Sequence, residues 1–201
     1  MANPVSHVVY AQKYLEKNPR KGGEIFILGT LFPDLRRITN GMARKDTHMH
    51  FVNIDLDFDG MNLFDAGWKF HAWCDMRREE ILNKYKFYSL KGANAIDPTA
   101  KLVEDELLYD KYKNWEKLRY VLNNPPIIHT SLDVSQETVE RWYAILAKYF
   151  QKKPDNRTMK IFLSKQSSDK KEIEEIIDGV RKLRENQKAT EILSKVCDEI
   201  I

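Results

Sequence analysis

The chain has 201 residues, 42% hydrophobic, 11% aromatic and 31% charged, with only 8 Gly and 7 Pro; this is enough apolar side chain for one compact domain or two small ones, and it excludes disordered, collagen-like and repeat-array chains. Its 33 basic and 30 acidic residues leave a net charge of +3, too balanced for a protein that coats nucleic acid, so no stable nucleic-acid partner is expected and any polyanion recognition must be local. Two distant cysteines, Cys74 and Cys197, indicate a reducing compartment, and the longest apolar run, Ile25 to Phe32, is too short to cross a bilayer.

In chain order, Asn3-Pro4 is an N-cap with proline at the first helical position, and Pro19 closes a helix over about 4–18 that points His7 inward. After Gly22-Gly23, residues Glu24 to Phe32 form an apolar run compatible with a buried strand or a helix, ended by Pro33 with Asp34 just beyond. From Leu35 to Leu63 the pattern is irregular and polar, and Val52, Ile54, Leu56 and Phe58 alternate with Asn53, Asp55, Asp57 and Asp59 as an extended segment would. A long helix begins at Phe64 and stacks His71 over Asp75 on one face. Asp97-Pro98 opens what the pattern predicts as the longest helix, running through Leu108, Trp115 and Leu122 to Asn123-Asn124-Pro125-Pro126.

Ser135 caps a helix stopped by Pro154, a shorter one spans Met159 to Leu163, Ser167-Ser168-Asp169 starts another, and the last carries Ile192, Leu193 and Val196. The expected architecture is an all-α bundle of six to eight helices with an irregular polar insertion. Residues 1–154 form its core, and 155–201 a C-terminal helical extension packed on that core within one domain overall, with a homodimer through the C-terminal helices also expected. The first residues show no secretory signal, and a cytoplasmic location is expected.

Four of the five histidines, His7, His48, His50 and His71, fall in the first 75 residues, while His129 stands apart as a structural residue. Nitrogen and oxygen donors from several elements are what a borderline divalent cation requires. The order His7, Phe32-Pro33-Asp34, Thr47-His48, Gly67-Trp68-Lys69-Phe70-His71 and Asp75 resembles the zinc-dependent phospholipase C and single-strand nuclease superfamily over the first 80 or so residues. That resemblance implies an all-helical fold that hydrolyses phosphate esters at a metal cluster, with Asp34, His48, His71 and Asp75 holding one ion and His7 belonging to a neighbouring site. It also departs from this chain: no second His-x-x-x-Glu step follows Asp75, and Glu104 and Asp105 are the local carboxylates left to complete a second site. One or two ions, zinc or another divalent transition metal, are expected. His48 and His50 compete for one position, with His50 expected to be exposed or to support the ligands.

Such an ion would activate water without a covalent nucleophile, and Asp34 is a candidate general base. The anionic, phosphate-containing substrate, expected to be a phosphodiester or a phospholipid headgroup ester, would meet some of Arg36, Arg37, Arg44, Lys45, Arg77 and Arg78, with Arg78 preferred because it shares the His71 and Asp75 face. Asp55-x-Asp57-x-Asp59-Gly60 imitates the opening of a calcium loop, but position 12 is Ala66, so the stretch is expected at a solvent-facing rim. Cys74 is expected to be a small buried helix residue, and Trp68, Trp73, Trp115 and Trp142 to be core. The contrasting readings are a non-catalytic helical binding or scaffold protein with a structural metal, and a helical phosphohydrolase of the HD type, which normally needs a His-Asp dipeptide that this chain lacks.

Overall fold

The computed structural model describes residues 3–39, 41–48, 50–90, 92–93, 98–166 and 169–201. It is all-helical, with ten α-helices and three short 3-10 helices among the described residues, more elements than the six to eight expected. Helix α1 is Pro4–Lys17, α2 Gly23–Leu31, α3 Arg44–His48, α4 Leu63–Lys84 and α5 Thr99–Leu108. Then come α6 Trp115–Asn123, α7 Gln136–Tyr149, α8 Asn156–Ser164, α9 Lys170–Arg184 and α10 Gln187–Glu199.

The apolar run left open between strand and helix is α2, which passes directly into a 3-10 helix over Phe32–Arg37. Its last six residues are all buried, as suits a helix enclosed by its neighbours. The enclosure is tightest against α4. A Cβ on Gly29 would lie 2.0 Å from the Phe64 carbonyl oxygen, and one on Gly67 2.0 Å from that of Phe26. The backbones of α2 and α4 therefore touch, a closeness that only glycine allows.

Two expectations are corrected. Residues 52–58 form bends rather than an extended segment: Val52 is fully exposed while Phe58 is buried against Tyr14 and Phe26. Asp55 and Asp57 fold back to accept from the backbone N–H groups of Asp57 and Asp59, and Lys69 Nζ donates to Asp55 and to the Asp57 carbonyl, which pins the loop to α4. The predicted longest helix is broken after Leu108, because Tyr112 turns to an extended conformation so that Trp115 can stack on Tyr109 at 4.7 Å and donate to its carbonyl. The longest helix is α4, with 22 residues. Asp97, half of the predicted cap of α5, and Ser167-Ser168 before α9 lie outside the described residues; Asp169 caps α9.

The C-terminal helices are integrated with the rest of the chain. α9 and α10 pack on α5, and α10 also meets α4 and α1. Ile173, Ile176, Ile177, Val180, Leu183, Ile192, Leu193 and Val196 are all buried in the chain's own core. No helix among the described residues is long and apolar enough to cross a membrane.

Candidate metal centre

The donors come from four segments around the α2–α4 contact. α1 supplies His7, the 3-10 helix Asp34, α3 His48, and α4 both His71 and Asp75. All five side chains are buried. Two groups have ligand atoms within 4.8 Å of one another: His7, His71 and Asp75, and Asp34, His48 and His71.

Each imidazole is held from behind. His71 Nδ1 donates to the Thr30 carbonyl at 2.8 Å, an oxygen of the last turn of α2 that the glycine contact brings within reach. His7 Nδ1 donates to the Asn3 carbonyl at 3.2 Å. The Thr47 hydroxyl donates to the Arg44 carbonyl and so accepts from His48 Nδ1 at 2.8 Å. Trp68 Nε1 fixes the Thr47 backbone by donating to its carbonyl. With every Nδ1 carrying the proton, each Nε2 offers a bare lone pair, the arrangement that outer-sphere partners give metal-binding histidines.

Those lone pairs converge. His48 Nε2 and His71 Nε2 lie 3.1 Å apart, and His7 stacks on His71 with ring centroids 4.1 Å apart. Two nitrogens on one zinc at about 2.0–2.1 Å and tetrahedral angles are separated by about 3.3–3.4 Å. His48 Nε2 is 3.9 Å from Asp34 Oδ1 and 3.7 Å from Asp75 Oδ2, and His7 Nε2 is 3.9 Å from Asp75 Oδ1. His7 Nε2 is a buried nitrogen without a hydrogen-bond partner, a costly arrangement that a cation would relieve. The residues thus fit a divalent ion. Because His71 Nδ1 is committed to Thr30, it has one nitrogen to share between the two donor groups.

The electrostatics agree. Burial lowers the pKa of His7 to about 3, helped by His71, and lowers those of His48 and His71 to about 4, so all three are neutral at ordinary pH. Burial alone would raise Asp34 and Asp75, but the facing groups, His71 and His48 for Asp34 and Lys101 and His71 for Asp75, outweigh it and hold both below the ordinary carboxylate range. Neutral imidazoles and ionised carboxylates are the protonation states a metal ligand needs.

The remaining candidates fall elsewhere. Arg78, expected at the phosphate, is buried and donates from Nε to Glu104 at 2.6 Å and from Nη1 to Glu79. Burial would lower its pKa, but Glu104 outweighs that and raises it. Glu104 also accepts from the Tyr10 hydroxyl, and Asp105 accepts from both the N–H and the hydroxyl of Ser6 at 2.9 Å. The two α5 carboxylates offered for a second ion therefore fasten α1 to α5. His50 is exposed and stacks on Trp68 at 4.4 Å, and His129, expected to be structural, is exposed. Cys74 is buried and its pKa is raised by burial.

Cations stand in their place. Arg44 Nη2 donates to Asp75 Oδ2 at 2.9 Å and Lys101 Nζ to Asp75 Oδ1 at 3.3 Å, while Arg37 Nε is 3.9 Å from Asp34. Lys101 bears no sequence signal, since it reaches the centre from α5 only through the fold. The chain matches no family model, no curated protein and no solved structure.

Proposed function

We propose that this chain is a metal-dependent hydrolase of phosphate esters that uses a single divalent transition-metal ion, zinc being the first choice. The observation that carries this reading is the gathering of three Nε2 atoms and two carboxylates into two overlapping donor groups that share His71, with each imidazole oriented by a partner on its far side. The order of these residues along the chain, which resembles that of the zinc-dependent phospholipase C and single-strand nuclease superfamily, supports the same chemistry. When bound, such an ion supplies Lewis acidity and a water activated near neutral pH.

The chain's own residues do the rest. His7, His48 and His71 hold the ion without adding charge, whereas Asp34 and Asp75 offset its two positive charges. Asp34, ionised throughout the physiological range, acts first as a ligand and is a poor proton acceptor. Arg37 and Arg44 bring guanidinium groups to the same place, where their paired N–H donors suit phosphoryl oxygens. Arg78 takes a positioning role through Glu104.

The burial of all five donors favours a second reading, a closed site that holds a metal for structure alone. One experiment separates the two. Metal content is measured on protein purified without added metal, beside His71→Ala and Asp75→Ala, together with hydrolysis of p-nitrophenyl phosphate and bis(p-nitrophenyl) phosphate. The expected result is about one transition-metal ion per chain and measurable hydrolysis, both lost in each variant. Metal without hydrolysis would establish the structural reading, and protein that neither contains nor takes up zinc would overturn both.

A further inference from the structure

Both oxygens of Asp75 are gripped by cations that come from different helices, Arg44 from α3 and Lys101 from α5. The same two oxygens face the imidazoles: Oδ2 lies 3.7 Å from His48 Nε2, and Oδ1 lies 3.9 Å from His7 Nε2. The carboxylate that would serve the metal is thus also the counter-charge of Arg44 and Lys101. Arg36 adds to the crowd, being half-buried and within electrostatic reach of Arg37, Arg44, Asp34 and Asp75. The Nε atoms of Arg36 and Arg37 are buried with no hydrogen-bond partner.

The balance of charge here is positive. Asp34 and Asp75 face Arg36, Arg37, Arg44 and Lys101, an excess of two positive charges among these six side chains. A divalent ion raises the excess to four and draws on the carboxylate charge that Arg44 and Lys101 use. Such a site calls for an anion. Arg44 spends one terminal nitrogen on Asp75 and is half-exposed, so further N–H donors of its fork face a ligand arriving from solvent.

We propose that Arg44 and Lys101 form, beside the metal, a subsite for a dianionic phosphoryl group, so that metal and phosphate bind as a linked pair. This rests on the metal-dependent phosphoesterase reading and adds its substrate class. A phosphate monoester carries close to two negative charges near neutral pH, and a diester carries one, so monoesters are preferred. Linkage is reciprocal: by whatever factor the metal tightens phosphate binding, phosphate tightens metal binding.

The test is calorimetric titration of inorganic phosphate into the metal-free protein and into protein carrying stoichiometric, pre-bound zinc, at pH 8, with dimethyl phosphate as the monoanionic probe. Phosphate is expected to bind the zinc-loaded protein at least about tenfold tighter, within the usual range of such couplings, and dimethyl phosphate to show much less enhancement. Arg44→Gln, at a half-exposed position, and Lys101→Gln should each cut the enhancement to about threefold or less with zinc stoichiometry unchanged; should Lys101→Gln fail to fold, Arg44→Gln alone decides. Equal phosphate affinity with and without zinc, full enhancement in Arg44→Gln, or dimethyl phosphate bound as tightly as phosphate would each overturn the subsite while leaving the metal reading intact. A protein that takes up no zinc would instead sink the reading on which the subsite rests.

Discussion

Asp105 holds α1 in place with two hydrogen bonds from Ser6, one residue before His7. Burial raises its pKa from 3.8 to about 8, so at neutral pH it is largely a neutral acid. The folded chain then keeps a proton that the unfolded chain releases. This contribution to stability is fully present below the unfolded pKa of 3.8 and is lost as pH rises toward 8, by up to about 1.4 kcal/mol per pH unit. Asparagine keeps the accepting oxygen and removes the titration. In denaturant melts of Asp105→Asn beside the parent, the stability difference should therefore shift in favour of the variant as pH rises from 5 to 8; a difference independent of pH would refute the assignment. The sequence showed Asp105 only as a carboxylate near the centre, because its partner lies 99 positions away. The donors themselves were legible: His71 and Asp75 share a helical face at four-residue spacing, and the inward face of α1 carries His7. Arg44 was legible only as one of six cations, and nothing in the order of residues marks Lys101, whose role depends on where α5, packed on α1, α9 and α10, brings its side chain.

At the scale of elements, the centre depends on how closely α2 and α4 approach. Thr30 orients His71 only because Gly29 and Gly67 let the two backbones touch. In Gly67→Ala the new methyl group would meet Phe26 backbone rather than a side chain able to move, so the helices must separate. The expected cost is about 3 kcal/mol or more, which for a chain of this size lowers Tm by about 6–12 °C. Metal uptake should fall with it, since the Thr30 carbonyl moves away from His71. Unchanged melting and unchanged metal content would show that the two backbones have room to spare. Helix starts were readable at Ser135 and Asp169, which accept from the N–H three residues on, but Asn62, Asp155 and Asn186 cap their helices in the same way and were not recognised. The nature of α2 was not readable, because an enclosed helix is apolar on all sides and loses the periodicity that distinguishes it from a buried strand. The break between α5 and α6 was missed for a related reason. Tyr109, Tyr112 and Trp115 fit a helical stripe, yet they are better buried by folding onto one another.

At the scale of the molecule, the sequence suggested a core over 1–154 with a C-terminal helical extension packed on it, and in the structure that extension lies on the helices that build the centre. α9 and α10 cover α5, the helix that fastens α1 through Glu104 and Asp105 and brings Lys101 to Asp75. Polar ties run the same way: Lys13 Nζ donates to the Cys197 carbonyl, Lys84 and Tyr85 meet Glu199, and Arg184 pairs with Glu106. Periodicity could show that these helices have an apolar side but not what lies against it. A chain ending at residue 154 would uncover the α5 surface and discard the buried side chains of α8 to α10, each contributing roughly 1.5–3 kcal/mol. Their loss far exceeds the roughly 5–15 kcal/mol by which a typical domain is stable. Residues 1–154 alone should therefore be insoluble or molten, with no cooperative melting transition and no stoichiometric zinc, although all five donors are present. A soluble 1–154 fragment that melts cooperatively and takes up one zinc per chain would show that the centre is self-sufficient and that the C-terminal helices are, after all, an appendage.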